Sequence, residues 1–227
     1  MIEREFVSQR MKEYRIQEVI SENLRNVGLS HAKMTRTPLG EKIVVYTSKP
    51  GLVVGRKGQN ISKLTKLLKK KFKLDNPQIE LAEVPDINLD AQIVAEKIAN
   101  SLEKFGSKRF KGIMHKAMED ALNSGAKGIE IRLSGKIPSS RARSWRVYGG
   151  YIKKCGDVAV EQVRKAYGIG KLKSGVIGIK VSIMPPGIVL PDHVEILNEP
   201  IIITEEIKDE KKGANATKQR RDKSEDQ

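Results

Sequence analysis

Two glycines three residues apart, Gly55 and Gly58, enclose Arg56 and Lys57, with Val53-Val54 before them and an amphipathic run opening at Ile61. A chain without Cβ atoms at both ends of such a turn can bend sharply and let another backbone pass close by. The turn also opens a helix, whose first N–H groups lack partners and favour an anion. Arg56 and Lys57 add positive charge where a phosphate would sit.

The surrounding pattern gives that turn a setting. Residues 6–27 read as a helix, with Ile16, Val19, Ile20, Leu24 and Val27 at helical spacing and Gly28 as its stop. Two extended runs, 31–37 and 42–47, are joined by Pro38-Leu39-Gly40-Glu41, the signal of a hairpin. The helix after the turn runs to Phe72 with Ile61, Leu64, Leu67, Leu68 and Phe72 as its apolar face, and Lys63, Lys66, Lys69, Lys70 and Lys71 cover much of the rest. Asn76-Pro77 ends it, and 78–83 is a third strand. Helix, strand, strand, turn–helix, strand is the order of a type II KH domain, whose Gly-X-X-Gly loop clamps about four nucleotides by their backbone. Gly55, Arg56, Lys57 and Gly58, with Lys63, Lys66 and Lys70 on the following helix, are therefore candidate RNA-binding residues.

Val84-Pro85-Asp86 marks a boundary, which divides the chain into a first domain over 1–86, a second over 87–204 and a polar tail over 205–227. The second domain opens with a helix over 89–105 on the stripe Ala91, Val94, Ala95, Ile98, Leu102 and Phe105. Its partner helix spans 110–123 and buries Phe110, Ile113, Met114, Ala117, Met118, Ala121 and Leu122. Strands are expected over 128–135, 146–153, 157–167 and 175–184; in the third, Val158 and Val160 alternate, while Val160, Val163 and Tyr167 also fit a helical stripe. The fold class is α+β, a KH domain followed by two helices and a four-stranded sheet. Residues 188–204 are apolar and punctuated by prolines, which suggests packing along the body. The tail has few apolar residues and is expected to be disordered when free.

Charge points to a polyanion. The 227 residues carry a formal net charge of +15, with a pI near 9.8, the footprint of a phosphate binder. Lys108, Arg109, Lys111, His115 and Lys116 gather at the junction of the two later helices; Lys108, Lys111 and His115 share one helical stripe. Arg141, Arg143 and Arg146 interleave with Trp145 and Tyr148, and guanidinium and ring planes both stack on bases. Lys108, Arg109, Lys111, Lys116, Arg141, Arg143 and Arg146 complete the RNA-binding candidates.

Other chemistries lack their residues. Cys155 is the single cysteine, so neither a disulfide framework nor a Cys-rich zinc site fits, and a small buried thiol is expected. The three histidines are far apart and no metal-ligand spacing joins them. Gly168-Ile169-Gly170-Lys171 is not a nucleotide loop, because position 165 is lysine where glycine is needed and Leu172 stands where Ser or Thr is needed. No catalytic residue, metal or cofactor is assigned. No apolar run approaches the ~18 residues of a membrane span, and the charged N-terminus lacks a signal-peptide core, so a cytoplasmic protein is expected.

Three segments carry a further resemblance: Gly51-Leu52-Val53-Val54-Gly55-Arg56-Lys57-Gly58, the run from Gly125 to Gly135, and Gly175-Val176-Ile177-Gly178-Ile179-Lys180-Val181. In this order they resemble the KH-bearing S-three family of small ribosomal subunit proteins, in its archaeal-type form, over nearly the whole chain to residue 204. The resemblance implies a structural, non-enzymatic constituent of the small-subunit head. Its partners would be small-subunit ribosomal RNA, messenger RNA at the entry channel and neighbouring head proteins. In the bacterial branch of the family, basic residues early in the second helix of the C-terminal domain unwind incoming message. The matching positions here are Lys111, Gly112 and His115, with Lys116 adjacent. The alternatives are a free KH-type RNA-processing factor and, from eukaryotic relatives, a damaged-DNA lyase. A lyase would need an activated lysine or other nucleophile in a pocket, and the sequence reveals none.

Overall fold

The computed structural model describes residues 2–194 except 25, 39, 75, 139 and 140. The expectations for 195–204 and for the 205–227 tail lie outside the described residues. Residues 1–188 form one compact unit, which contains two sheets and two hydrophobic cores.

The first core is built on a helix and a mixed sheet. Helix α1 (Ile2–Asn23) turns Ile16, Val19 and Ile20 inward. It ends four residues before the expected position. Asn26 and Gly28 adopt φ of 68° and 74°, which helix geometry excludes, yet Leu24 and Val27 in the turn remain buried. Strands β1 (Leu29–Thr37) and β2 (Gly40–Thr47) form the expected antiparallel hairpin. A short helix α2 (Pro50–Val54) and the glycine turn lead into α3 (Gln59–Phe72), which crosses over to β3 (Gln78–Glu83), parallel to β2. Ile43, Val45, Val53 and Leu68 fill the space between sheet and helices. Leu67 belongs to the expected apolar face but is 46% exposed, because the buried seam of α3 is only as wide as Leu64 and Leu68.

The second core lies between two helices and an antiparallel sheet in the order β5-β4-β7-β6. Helix α4 (Ala91–Phe105) begins at Asp90, whose carboxylate accepts the Gln92 N–H at 3.0 Å and so satisfies one of the orphan donors of the first turn. Helix α5 (Phe110–Asn123) and strands β4 (Gly128–Gly135) and β7 (Gly175–Met184) fall on their expected spans. Ile129, Ile131 and Leu133 of β4 are fully buried.

Two strands differ from expectation. Strand β5 is Arg143–Gly150, three residues earlier than read, and pairs Gly150 with Gly128. The span read as a strand over 157–167 divides. Val158–Gln162 makes a π-helical turn closed by the Val163 N–H on the Val158 carbonyl at 3.2 Å, and β6 follows as Arg164–Leu172. Gly168 lies inside β6, where a Cβ would sit 3.3 Å from the Ala95 carbonyl; its glycine lets α4 lie close on the strand. Phe105 is 61% exposed rather than buried, since α4 ends there, and the thiol of Cys155 is exposed rather than buried because it precedes the π turn at the surface. The cores are linked by Glu96 of α4, whose carboxylate accepts the backbone N–H of Gly28 at 3.0 Å and that of Asn26.

Candidate nucleic-acid interface

The glycine turn is fixed by backbone conformation. Gly55 has φ 69° and ψ −176°, and Gly58 has φ 73° and ψ 15°, both in the region that favours glycine. A Cβ on Gly55 would lie 2.5 Å from Asn60 Nδ2, which donates to the Leu52 carbonyl at 3.2 Å and braces the turn. A Cβ on Gly58 would point into open space. Lys57 itself sits at φ 52°, a left-handed conformation that costs a non-glycine residue roughly 1–2 kcal/mol. Gly58 is the N-cap of α3 and no side chain caps the helix; the Gly58 N–H donates to the Gly55 carbonyl at 3.4 Å and the Gln59 N–H to the Arg56 carbonyl, so the turn closes on its own backbone.

Arg56 and Lys57 flank this opening and are exposed. Lys63, Lys66 and Lys70, also exposed, follow at spacings of three and four, which puts them on one stripe of α3. None of these five has an acidic partner among the described residues. The structure thus brings Gly55, Arg56, Lys57, Gly58, Lys63, Lys66 and Lys70 onto one turn–helix element.

The other candidates divide. Lys108 and Arg109 lie in a single 3-10 turn before α5, exposed, and Lys116 is exposed about two turns further on, in the middle of α5. Lys111 is not a free cation: its ammonium lies 4.9 Å from the Trp145 ring centroid. Arg143 reaches the same ring at 4.9 Å, and Phe110 meets it edge-on at 5.6 Å. Trp145 is a half-buried post joining the start of α5 to the edge strand β5, against which both cations are held. Arg141 is exposed in the bend before β5.

Arg146 is held most firmly. Its Nε donates to Glu130 Oε1 at 2.7 Å and its guanidinium lies 4.9 Å from the Tyr148 ring. Glu130 also receives Lys154 at 3.1 Å and Arg132 at 3.6 Å. Burial raises the carboxyl's pKa, but hydrogen bonds and charges from Lys154 and Arg146 outweigh it and leave the group below its ordinary value. Arg132, Lys154 and Lys180, with its ammonium 5.3 Å from the Tyr167 ring, were not among the sequence candidates. The available signal was strand alternation: each of Arg132 and Lys180 sits opposite a buried neighbour in an in–out strand.

Comparison with known proteins places these features. A family model described as "KH domain" matches residues 15–91, and one described as "Ribosomal protein S3, C-terminal domain" matches residues 98–183. The chain is 43% identical over 196 residues to a protein of Methanocaldococcus jannaschii named small ribosomal subunit protein uS3, covering 86% of this chain and 93% of that protein. A protein of the same name from Methanococcus aeolicus is 39% identical over 210 residues, 92% of this chain and the whole of that protein. Another from Methanobrevibacter smithii is 42% identical over 206 residues, 91% of this chain and 82% of that protein.

Proposed function

Since the chain belongs to the uS3 family of small ribosomal subunit proteins, we propose that it binds small-subunit ribosomal RNA in the head of the particle and lines the channel where messenger RNA enters. Its role is that of a structural constituent of the ribosome in the cytoplasm, with ribosomal RNA and neighbouring ribosomal proteins as partners. The observation that carries the RNA reading is the uncapped turn at Gly55–Gly58. The positive φ of three of its residues lets another backbone approach closely, and two cations without an acidic partner among the described residues stand there for a phosphate. Lys108 and Arg109 before α5 and Lys116 in its middle are the residues that meet message. Lys111, Arg143 and Arg146 act beside them as cations fixed on rings, and Arg141 as an exposed one in the bend before β5.

Gradient sedimentation of the tagged full chain tests the ribosomal reading. The protein should travel with the small subunit and stay there in moderate salt. A peak that leaves the subunit at such salt would favour a free RNA-processing factor. The messenger reading has its own test: ribosomes carrying Lys108→Ala, Arg109→Ala and Lys116→Ala should slow on structured messages more than on unstructured ones. Equal slowing would confine these residues to ribosomal RNA. We further propose that 1–86 and 87–204 fold as separate domains, so that limited proteolysis of the free chain cuts within 84–88 before it cuts α3 or α5. First cuts inside either helix would refute that division.

A further inference from the structure

The outer face of the four-stranded sheet carries an arrangement that folding does not call for. By register, Arg146 of β5 stands opposite Arg132 of β4, Arg132 opposite Lys180 of β7, and Lys180 opposite Tyr167 of β6. Three cations therefore stand side by side on adjacent strands, and like charges directly opposite one another destabilise a sheet. Glu130 compensates only part of this, taking Arg146, Lys154 and Arg132; Lys180 has no acidic partner among the described residues and lies over Tyr167 instead.

A cavity of about 240 Å³ opens beside this row, walled by Arg132, Lys153, Lys154, Lys165 and Lys180 around the single carboxylate of Glu130. Two aromatic rings stand on the same sheet face outside the cavity lining, Tyr148 opposite Glu130 and Tyr167 opposite Lys180. Tyr148 is 67% exposed and Tyr167 68% exposed, each with a cation close to its ring, 4.9 Å for Arg146 and 5.3 Å for Lys180. They stand on the two outermost strands, roughly 14 Å apart across the sheet at ~4.8 Å per strand. An exposed ring flanked by cations is a stacking platform for a nucleic-acid base, whereas an apolar protein partner would leave the cations unsatisfied.

We propose that this sheet face is a second RNA seat, separate from the glycine turn. It takes an unpaired stretch, with a phosphate in the cavity beside Arg132 and Lys180 and a base stacked on Tyr167. A duplex does not fit this chemistry, because its bases are not available to stack on side chains.

The test uses the full chain carrying Arg56→Asp and Lys57→Asp, so that binding reports the sheet, with a short fluorescein-labelled oligouridine as the probe. In that background Arg132→Gln with Lys180→Gln should weaken oligouridine about tenfold and lower the salt slope by roughly 0.7, the value of one phosphate contact on a single strand. Tyr167→Ala should weaken it about fivefold or more, while Tyr167→Phe stays within about twofold of the parent, since the ring does the stacking. The melting temperature of the Gln pair should equal or exceed the parent's, which checks folding, and Lys180→Gln alone serves if the pair does not fold. The proposal is overturned if the turn variant binds no oligouridine, or if the Gln pair binds as the parent does. It is also overturned if Tyr167→Phe loses as much as Tyr167→Ala. Retained oligouridine binding with lost sedimentation on the small subunit would assign the face to an acidic protein surface instead. Unchanged binding by Arg56→Asp with Lys57→Asp would count against the turn, not against the sheet.

Discussion

The glycine turn and the outer sheet present positive charge by opposite means. In the turn the side chains of Arg56 and Lys57 are exposed and unpaired, while the main chain is forced: Gly55, Lys57 and Gly58 all take positive φ. On the sheet the main chain is a regular antiparallel ladder and the side chains are held, with Arg146 and Lys180 each within 5.3 Å of a ring centroid. One region gains precision from backbone conformation and leaves its charges mobile. The other fixes its charges on aromatic scaffolds. The two should therefore fail in different ways when altered.

Charge reversal in the turn is the largest expected effect. Arg56→Asp with Lys57→Asp should lower RNA affinity by more than about tenfold at low salt and reduce the salt slope by roughly one per lost contact. Melting should shift little, since exposed changes of this kind stay within about 0.5 kcal/mol. Unchanged affinity with an intact circular dichroism spectrum would remove the turn from the binding surface.

Backbone substitution comes next. A Cβ at position 58 meets no neighbouring atom, so Gly58→Val tests chiefly its φ of 73°. It should cost roughly 1–2 kcal/mol and weaken RNA several-fold, whereas Gly58→Asn, which tolerates that conformation, should cost less. Equal losses from Val and Asn would mean that conformation is not what the turn requires.

Glu130→Gln probes the sheet. The native carboxyl is held below its ordinary value of 4.5, so its contribution is complete above that value and is lost as pH falls through the native one. The variant should melt a few degrees lower than the parent at pH 7, by about 1 kcal/mol's worth, and the gap should close toward the acid end. A gap independent of pH would show that Glu130 acts by packing rather than charge.

The smallest effect is expected at α5. Lys108→Ala, Arg109→Ala and Lys116→Ala together should leave melting equal or slightly higher, because Lys108 and Arg109 oppose the dipole at the N-terminus of α5 by about 0.3–1 kcal/mol each and Lys116 is exposed in mid-helix. Lys111→Ala alone should instead lower stability by about 0.5–1 kcal/mol through its lost ring contact. Matching shifts for the two variants would deny Trp145 its scaffolding role.

Where the sequence could be read, each element carried its own punctuation. Strands β4 and β7 alternate strictly and begin at glycines, and α5 shows an unbroken helical stripe, so their spans needed no tertiary information. Strand β5 slid by three residues because its first half, Arg143-Ser144-Trp145-Arg146, has no aliphatic alternation to anchor the register; pairing with Gly135 at Arg143 sets it. The alternation of Val158 and Val160 misled because residues 158–162 make a π turn, which repeats near neither two nor 3.6 residues. The glycine turn was legible as a site because all of its parts are contiguous. The row Arg146–Arg132–Lys180–Tyr167 was not, since it exists only once strands about fifty residues apart along the chain take their register.

Trp145 is the single tryptophan of the chain, and its ring lies between an ammonium and a guanidinium, each 4.9 Å away. The indole's emission is governed by the charges nearest its ring, so the molecule carries one optical reporter, seated where helix α5 meets the sheet edge. Whatever draws Lys111 or Arg143 off that ring changes the light it gives out, and no label needs to be attached to watch it happen.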